Sequence, residues 1–259
     1  MGRCADPKIS IVIPARNEAR NLEVILPELP ADAQVVLVDG HSVDGTVEVA
    51  RRIRPSIRVL TQTRTGKGNA LACGLEAADG DVVVMFDADG SADPAEIPAF
   101  VEALTRGADF AKGTRFLGPG GSEDITNVRR GGNAVLNGLA NLLYSTGFTD
   151  LCYGYNAFWR DIVPQLDLPP TTARPADGML WGDGFEIETV LSCRVVAAGL
   201  KVVEVPSFER PRVFGETNLR TFADGARVLR TLVAEYRRYR ARRPADLSAA
   251  GDTPAQELA

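Results

Sequence analysis

Apolar residues recur in two spacings along the first half of the chain, and the two spacings alternate. Near-continuous apolar runs predict four buried strands, at 9–15, 33–40, 57–62 and 81–88. Apolar positions three and four residues apart predict four amphipathic helices, at 18–29, 42–53, 66–78 and 94–107. This alternation is typical of an α/β fold, in which crossover helices flank a mostly parallel sheet.

The second half of the chain is less regular. It predicts a strand followed by a turn at 108–116, helices at 132–146 and 185–199, a strand at 201–207 and a long helix at 219–243. Polar or glycine-rich segments predict loops at 118–130, 169–184 and 210–218. We find no internal repeat and no linker, so we expect one domain over 1–243, with parts 1–107, 108–218 and 219–243 and a flexible tail at 244–259.

Composition narrows the class of protein. The 259 residues carry a net charge of −5, which gives no reason to expect binding to nucleic acid. No apolar run of about 18 residues predicts a membrane-spanning helix, and the first residues lack an apolar signal core, so we expect a cytoplasmic protein. Four separated cysteines and one histidine, His41, argue against a zinc site.

The strand at 81–88 runs into two carboxylates, Asp87 and Asp89. Three interpretations compete: aspartates that cap turns or helices, as Asp93 before Pro94 would do; a catalytic acid and base; or ligands of a hard divalent cation completed by substrate phosphates. Ligands of parallel α/β sheets bind beyond the carboxyl ends of the strands, where this pair lies. That position favours the cation.

Six segments together resemble a known family. They are "PARNE" (14–18), "VDGHSVDGT" (38–46), "RTGKGNA" (64–70), "GTRFLGPGG" (113–121), "GDGFEIE" (182–188) and "VVEVPSFERPRVFGETNL" (202–219). In order and spacing the chain resembles glycosyltransferase family 2 enzymes of the GT-A (Rossmann-like) fold, from about Ile9 to Leu219. The dolichyl-phosphate mannosyltransferase-like subgroup is the most similar. The resemblance implies a metal-dependent, inverting transfer of a sugar from a GDP- or UDP-linked donor onto a polyprenyl phosphate.

The resemblance also implies a donor site in the first half of the chain. The residues expected to bind the nucleotide sugar are Pro14, Ala15, Arg16, Glu18, Asp39, Lys67, Asp87 and Ala88. A Mg²⁺ or Mn²⁺ ion would be bound by Asp89, with Asp87 and Ser91 nearby, and would stabilise the leaving diphosphate. The alternatives without a functional role are an ion pair between Arg16 and Glu18 on the protein surface and a solvent-exposed Lys67. Family members often carry "DDGS" where this chain has Gly40 and His41.

The acceptor decides whether the reaction needs a base. A phosphate acceptor needs only cations, and the resemblance suggests Arg115, Arg129, Arg130 and Arg212, although Thr217 and Asn218 replace an expected serine and lysine. A hydroxyl of a small molecule is the alternative acceptor and needs a general base. Asp183 is the best candidate, followed by Glu186. Capping of a helix by Asp183 and solvation of a helix by Glu186 and Glu188 remain the alternatives.

The helix at 219–243 is amphipathic and basic. Leu219, Phe222, Ala226, Leu229, Val233 and Tyr236 form an apolar stripe, and seven arginines occupy much of the remaining surface. Such a helix lies on an anionic membrane or packs on its own domain, and the sequence leaves both open. The oligomeric state, including a homo-oligomer, is equally open. A binding protein for nucleotide sugars without catalysis is the non-enzyme alternative, which the retained Asp87, Asp89, Lys67 and Asp183 oppose.

Overall fold

A computed structural model describes residues 3–173, 178–215 and 221–242 of the chain. A seven-stranded sheet has the spatial order β3-β2-β1-β4-β7-β5-β8, and a small two-stranded sheet pairs β6 with β9. The strands are β1 Ile9–Ala15, β2 Gln34–Asp39, β3 Arg58–Thr61, β4 Val82–Met85, β5 Phe110–Thr114, β6 Gly121–Ser122, β7 Asn156–Trp159, β8 Val202–Pro206 and β9 Phe208–Glu209. Helices flank the sheet, so the predicted α/β class with a mostly parallel sheet is confirmed.

Helices connect most of these strands. They are α1 Ala19–Ile25, α2 Thr46–Ile53, α3 Lys67–Ala77, α4 Ile97–Thr105, α5 Asn127–Tyr144, α6 Ile187–Ala197 and α7 Thr221–Arg242. The helix predicted at 18–29 is shorter than expected and continues as the 3₁₀ turn Leu26–Glu28, because Pro27 has no N–H to extend the α-helical bonding. The helix predicted at 94–107 likewise begins with the 3₁₀ turn Pro94–Glu96, capped by Asp93.

Strand β7 is absent from the elements that the sequence predicts. It pairs antiparallel with both β4 and β5, and so joins the first half of the chain to the second half in one sheet. The Phe158 ring of β7 stacks on the Phe110 ring of β5 with centroids 5.3 Å apart. Just before β7, the Tyr155 ring packs against Phe100 at 4.5 Å. The aromatic residues of this segment therefore form part of the core.

The prediction of a loop over 118–130 is wrong. This segment contains β6, and helix α5 begins at Asn127 rather than at residue 132. Thr126 starts the helix because its hydroxyl accepts a hydrogen bond from the backbone N–H of Arg129. Arg129 and Arg130 therefore lie in the first turn of α5 and not in a polar loop.

Helix α7 packs on α5 and α6 around a second hydrophobic cluster. Its buried residues include Leu232 and Glu235, and the Glu235 carboxylate accepts two hydrogen bonds from Arg194 of α6. From the predicted apolar stripe, Leu229 and Val233 are exposed at 45% and 38%. Leu219 and the predicted tail lie outside the described residues. Within the described ranges, no helix is both long and apolar enough to cross a membrane.

Candidate functional site

The loops that follow β1 and β2 are bound to each other at the carboxyl edge of the sheet. Asn17 N–H donates to the Ser42 hydroxyl, and Val43 N–H donates to the Asn17 side-chain oxygen, both at 2.9 Å. Gly40 lies between the loops, and a Cβ there would sit 3.1 Å from the Cβ of Arg16. A side chain at position 40 would therefore crowd the side chain of Arg16 and the carbonyl of Ala15, which glycine avoids.

Predicted donor residues come together at this edge. Ala15 is the direct partner of Asp39 in the pairing of β1 with β2. The Asp39 carboxylate is mostly buried and accepts a hydrogen bond from Ser42 N–H at 3.2 Å. Pro14 is partly buried and Arg16 is exposed, and Arg16 has no ion pair with Glu18 among the described contacts. Glu18 is instead buried and pairs with another arginine.

Lys67 bridges two carboxylates in front of β4. Its Nζ lies 2.7 Å from Asp87 Oδ1 and 2.7 Å from Glu188 Oε1. Burial alone would lower the pKa of Lys67, but the two carboxylates outweigh it and raise the pKa above the ordinary value, so the ammonium stays charged. A Cβ on Gly154 would lie 3.3 Å from all three charged groups. Glu188 is 8% exposed, which excludes the alternative that it is a solvated residue on a helix surface.

Asp89 lies at the same carboxyl edge of the sheet, which we call the rim. It lies beneath a segment that we call the strap, residues 210–215. Asp89 Oδ1 accepts from the N–H of Ser91, and Oδ2 lies 3.5 Å from Nη1 of Arg212. Arg212 also pairs with Glu18. Backbone bonds fix the strap to this loop: Val213 N–H donates to the carbonyl of Asp89 at 3.0 Å. Arg212, predicted to bind the acceptor, thus lies beside donor-site carboxylates.

The charges of this rim fit a divalent cation. Four carboxylates, those of Glu18, Asp87, Asp89 and Glu188, share the two cations Lys67 and Arg212, which leaves two negative charges uncompensated. Residues 3–173, 178–215 and 221–242 contain no cluster of three or more His, Cys, Asp or Glu side chains that could hold a metal alone. A Mg²⁺ or Mn²⁺ ion bound by one or two carboxylates takes its other ligands from phosphate oxygens and water, which this rim permits.

Asp183 is fully enclosed. Its side chain is 1% exposed, and Arg64 donates to both carboxylate oxygens, at 2.7 and 2.8 Å. Glu186 accepts hydrogen bonds from the N–H groups of Gly182 and Gly184. Both oxygens of Asp183 are therefore engaged, whereas the hydrogen bonds to Glu186 engage only its Oε1. Sequence reasoning misses Arg64 because 119 residues separate it from Asp183, and no local pattern indicates the pairing.

Of the arginines predicted to bind the acceptor, Arg115 and Arg130 both lie over the Phe116 ring, with guanidinium carbons 5.8 and 5.9 Å from its centroid, whereas Arg212 lies beside Asp89. Arg115 is 11% exposed and pairs with Asp150 at 2.7 Å and with Glu209 at 2.9 Å. Arg129 lies 3.5 Å from Asp124, and Arg130 is exposed in the same turn of α5. Arg129 and Arg130 therefore lie next to each other at a helix N-terminus, whereas Arg115 is held by the buried Asp150 and the partly buried Glu209.

Comparisons with known proteins agree with this geometry. Residues 10–166 match the family model for glycosyl transferase family 2. Glycosyltransferase AglJ of Haloferax volcanii is 31% identical to this chain, and the match covers 91% of this chain and 73% of the length of AglJ. Polyprenol monophosphomannose synthase of Mycolicibacterium smegmatis is 31% identical over 81% of this chain and 80% of its own.

A solved structure shares the fold. Glucosyl-3-phosphoglycerate synthase from Mycobacterium tuberculosis, in complex with Mn²⁺, UDP-glucose and phosphoglyceric acid, has a TM-score of 0.68 and 22% identity. The match covers 90% of this chain and 80% of that chain. At this identity the likeness describes the fold, with the same arrangement of a sheet flanked by helices.

Proposed function

The chain belongs to glycosyl transferase family 2 and is a glycosyltransferase that uses a nucleotide sugar, and we propose that it transfers the sugar to a polyprenyl phosphate with the aid of Mg²⁺ or Mn²⁺. The rim of carboxylates with an excess of two negative charges carries this proposal. Without a cation, such a rim repels the negatively charged diphosphate of a nucleotide, and with a divalent cation bound the rim attracts it.

The chain's own residues support the departure of the diphosphate. Asp89 is the main metal ligand, with Asp87 and Ser91 beside it. When bound, the ion stabilises the negative charge that grows on the leaving group. Lys67 stays protonated because Asp87 and Glu188 raise its pKa, and it supplies a second positive charge next to the donor. Asp39, the loop of Pro14, Ala15, Arg16 and Glu18, and the buried Ala88 bind the nucleoside.

The acceptor side favours a group that is already ionised. A phosphate oxygen attacks without a general base, and direct displacement inverts the anomeric centre of the sugar. Arg129 and Arg130 stand in the first turn of α5, where backbone N–H groups also attract anions. The name of the polyprenol monophosphomannose synthase among the relatives supports the same acceptor class. A hydroxyl acceptor is less well supported, since both oxygens of Asp183, the best candidate for its base, are engaged by Arg64.

Peripheral contact with a membrane is part of this proposal. The exposed Leu229 and Val233 lie on α7, whose outer surface also carries the exposed Arg230 and Arg237. Apolar and basic side chains on one helix face suit an anionic bilayer surface, where a polyprenyl phosphate would be met.

The test is an assay of nucleoside diphosphate release with a panel of GDP- and UDP-sugars. Each donor is incubated with Mn²⁺ and either a short polyprenyl phosphate or the matching unphosphorylated polyprenol. We expect release and a glycosylated lipid only with the phosphate, and loss of both in Asp89→Asn or with a chelator. Transfer to the polyprenol alone, or turnover that survives chelation, would contradict the acceptor or the metal respectively.

A further inference from the structure

The pair of Arg64 and Asp183 is the most enclosed ion pair at the edge of the donor site. The two side chains are 2% and 1% exposed and share two hydrogen bonds. Arg64 Nη1 also donates to the carbonyls of Pro170, Thr171 and Ala173, at 2.8, 3.3 and 3.1 Å. The guanidinium is therefore held by one carboxylate and three backbone carbonyls.

The pair joins two backbone segments at close range. Asn69 N–H of α3 donates to the carbonyl of Asp183 at 3.1 Å. The Asn69 side-chain oxygen in turn accepts from the N–H of Arg64 at 2.8 Å. A Cβ on Gly66 would lie 2.1 Å from the carbonyl oxygen of Asp183, so the first turn of α3 rests directly on residues 182–183.

Lys67 lies within that first turn. Its neighbours Gly66 and Gly68 both contact the segment that Arg64 and Asp183 hold, and its Nζ reaches Asp87. The backbone position of Lys67, and that of the N–H groups which open α3, depends on this packing. Residues of α3 that face a diphosphate would move if the pair were broken.

We propose that Arg64 and Asp183 are positioning residues that hold Lys67 and the N-terminal turn of α3 against the donor diphosphate, and that Asp183 is not a general base. The inference rests on the proposed function for the reaction that it serves. A base must offer a free carboxylate oxygen to the acceptor. Both oxygens of Asp183 are instead bound by Arg64, and Oδ2 also accepts from Leu180 N–H at 2.6 Å.

A double-mutant cycle separates the two roles. Asp183→Asn leaves the buried Arg64 guanidinium without its carboxylate, and Arg64→Gln leaves the Asp183 carboxylate and the three carbonyls without their donor. We therefore expect both variants to lose thermal stability and to bind nucleoside diphosphate more weakly. The double variant Arg64→Gln/Asp183→Asn removes both buried charges and leaves two amides, which can hydrogen-bond to each other. Relative to the single variants, we expect it to recover melting temperature, diphosphate affinity and kcat together, with kcat within about tenfold of the parent.

A general base predicts a different result from the same cycle. The double variant would bind nucleotide normally yet retain a kcat defect of about 10²–10⁴-fold, and the acidic limb of its pH–kcat profile would disappear. That result would overturn the proposal. If either single variant does not fold, Arg64→Lys keeps the charge and loses the double hydrogen bond. This variant should raise the KM for the donor by a larger factor than it lowers kcat. A larger change in kcat than in KM would also overturn the proposal.

A second buried pair provides the matched control. Arg194 and Glu235 are 7% and 3% exposed and join α6 to α7. Glu235 Oε1 also accepts from the indole N–H of Trp181 at 2.8 Å, a hydrogen bond that the amide oxygen of Glu235→Gln can keep. Glu235→Gln should lower the melting temperature without changing affinity for nucleoside diphosphate. An equal loss of affinity in this control would show that Asp183→Asn reports only general destabilisation. Diphosphate affinity is measured by calorimetry without acceptor, so it tests the pair even if no polyprenyl phosphate is glycosylated and the proposed function fails.

Discussion

Gly68 tests how closely α3 packs on the neighbouring segment. A Cβ at this position would lie 1.8 Å from the carbonyl oxygen of Gly182. The contact must open by about 1.6 Å to reach the 3.4 Å at which ordinary van der Waals contact begins. Because the obstacle is backbone rather than a flexible side chain, Gly68→Ala has to push α3 and residues 182–183 apart.

The cost of this movement follows from three contributions. Overpacking costs about 1–3 kcal/mol, and loss of the hydrogen bond from Asn69 N–H to Asp183 adds about 1 kcal/mol. Alanine is favoured over glycine inside a helix by about 1 kcal/mol, which offsets part of the loss. We expect a net destabilisation of about 1–3 kcal/mol, which lowers the melting temperature of a chain of this size by about 2–12 °C.

Thermal unfolding and nucleoside diphosphate affinity provide the assay. Gly138→Ala is the control, since Gly138 lies in α5 and a Cβ there meets nothing within 4 Å. The control should be neutral or gain about 0.5–1 kcal/mol, with unchanged affinity. Gly68→Ala should be less stable and bind the diphosphate more weakly, because Lys67 moves with its neighbour. Equal melting temperatures for the two variants would refute the close packing inferred here.

Three further predictions concern charged groups. Glu235→Gln should cost about 3–5 kcal/mol at neutral pH, because it leaves Arg194 buried without its carboxylate. Burial favours a higher pKa for Glu235, but Arg194 outweighs burial and lowers the pKa. The stability that this ion pair contributes is therefore present above the ordinary pKa of 4.5 and is lost as the pH falls through the lowered value. Denaturation curves at acidic and neutral pH check this, and a difference in stability between parent and variant that stays constant with pH would contradict it. Arg212→Gln should bind Mn²⁺ more tightly without donor, because the guanidinium beside Asp89 repels a second cation, and electron paramagnetic resonance that shows weaker binding would exclude this competition. The affinity of the parent for nucleoside diphosphate should persist above the ordinary lysine pKa of 10.5, since the pKa of Lys67 is raised. In Glu188→Gln, which removes one of the two carboxylates beside Lys67, the affinity should fall at a lower pH than in the parent. Coincident pH curves for the two proteins would argue against the bridge from Lys67 to Glu188.

Local pattern is sufficient to predict the half of the fold that builds the donor site. Continuous apolar runs indicate strands covered on both faces, and the four such runs correspond to β1 to β4. Because these strands are parallel, the turns after β1, β2 and β4 share one edge of the sheet, as the pattern predicts. Asp87 and Lys67 are both predicted donor residues, and the structure brings their charged atoms within 2.7 Å.

The remaining features depend on contacts between distant parts of the chain. Strand β7 lacks a clear alternating pattern, and only its pairing with β4 and β5 defines it. Glu188 resembles a solvated helix residue until α6 is placed beside Lys67. Asp183 is the best candidate for a base when only the sequence is considered, and its pairing with Arg64 becomes apparent only when the fold is complete.

Strand β7 also has a consequence for synthesis of the chain on the ribosome. Val82–Met85 of β4 are fully buried in the finished sheet, yet their partner on one side ends at Trp159, 74 residues after Met85. At about 5–20 residues per second, translation leaves that apolar sheet edge without its partner for about 4–15 s. During this interval the edge is a template for pairing with other nascent chains. Chaperone demand during expression should therefore be greatest while these residues are being made.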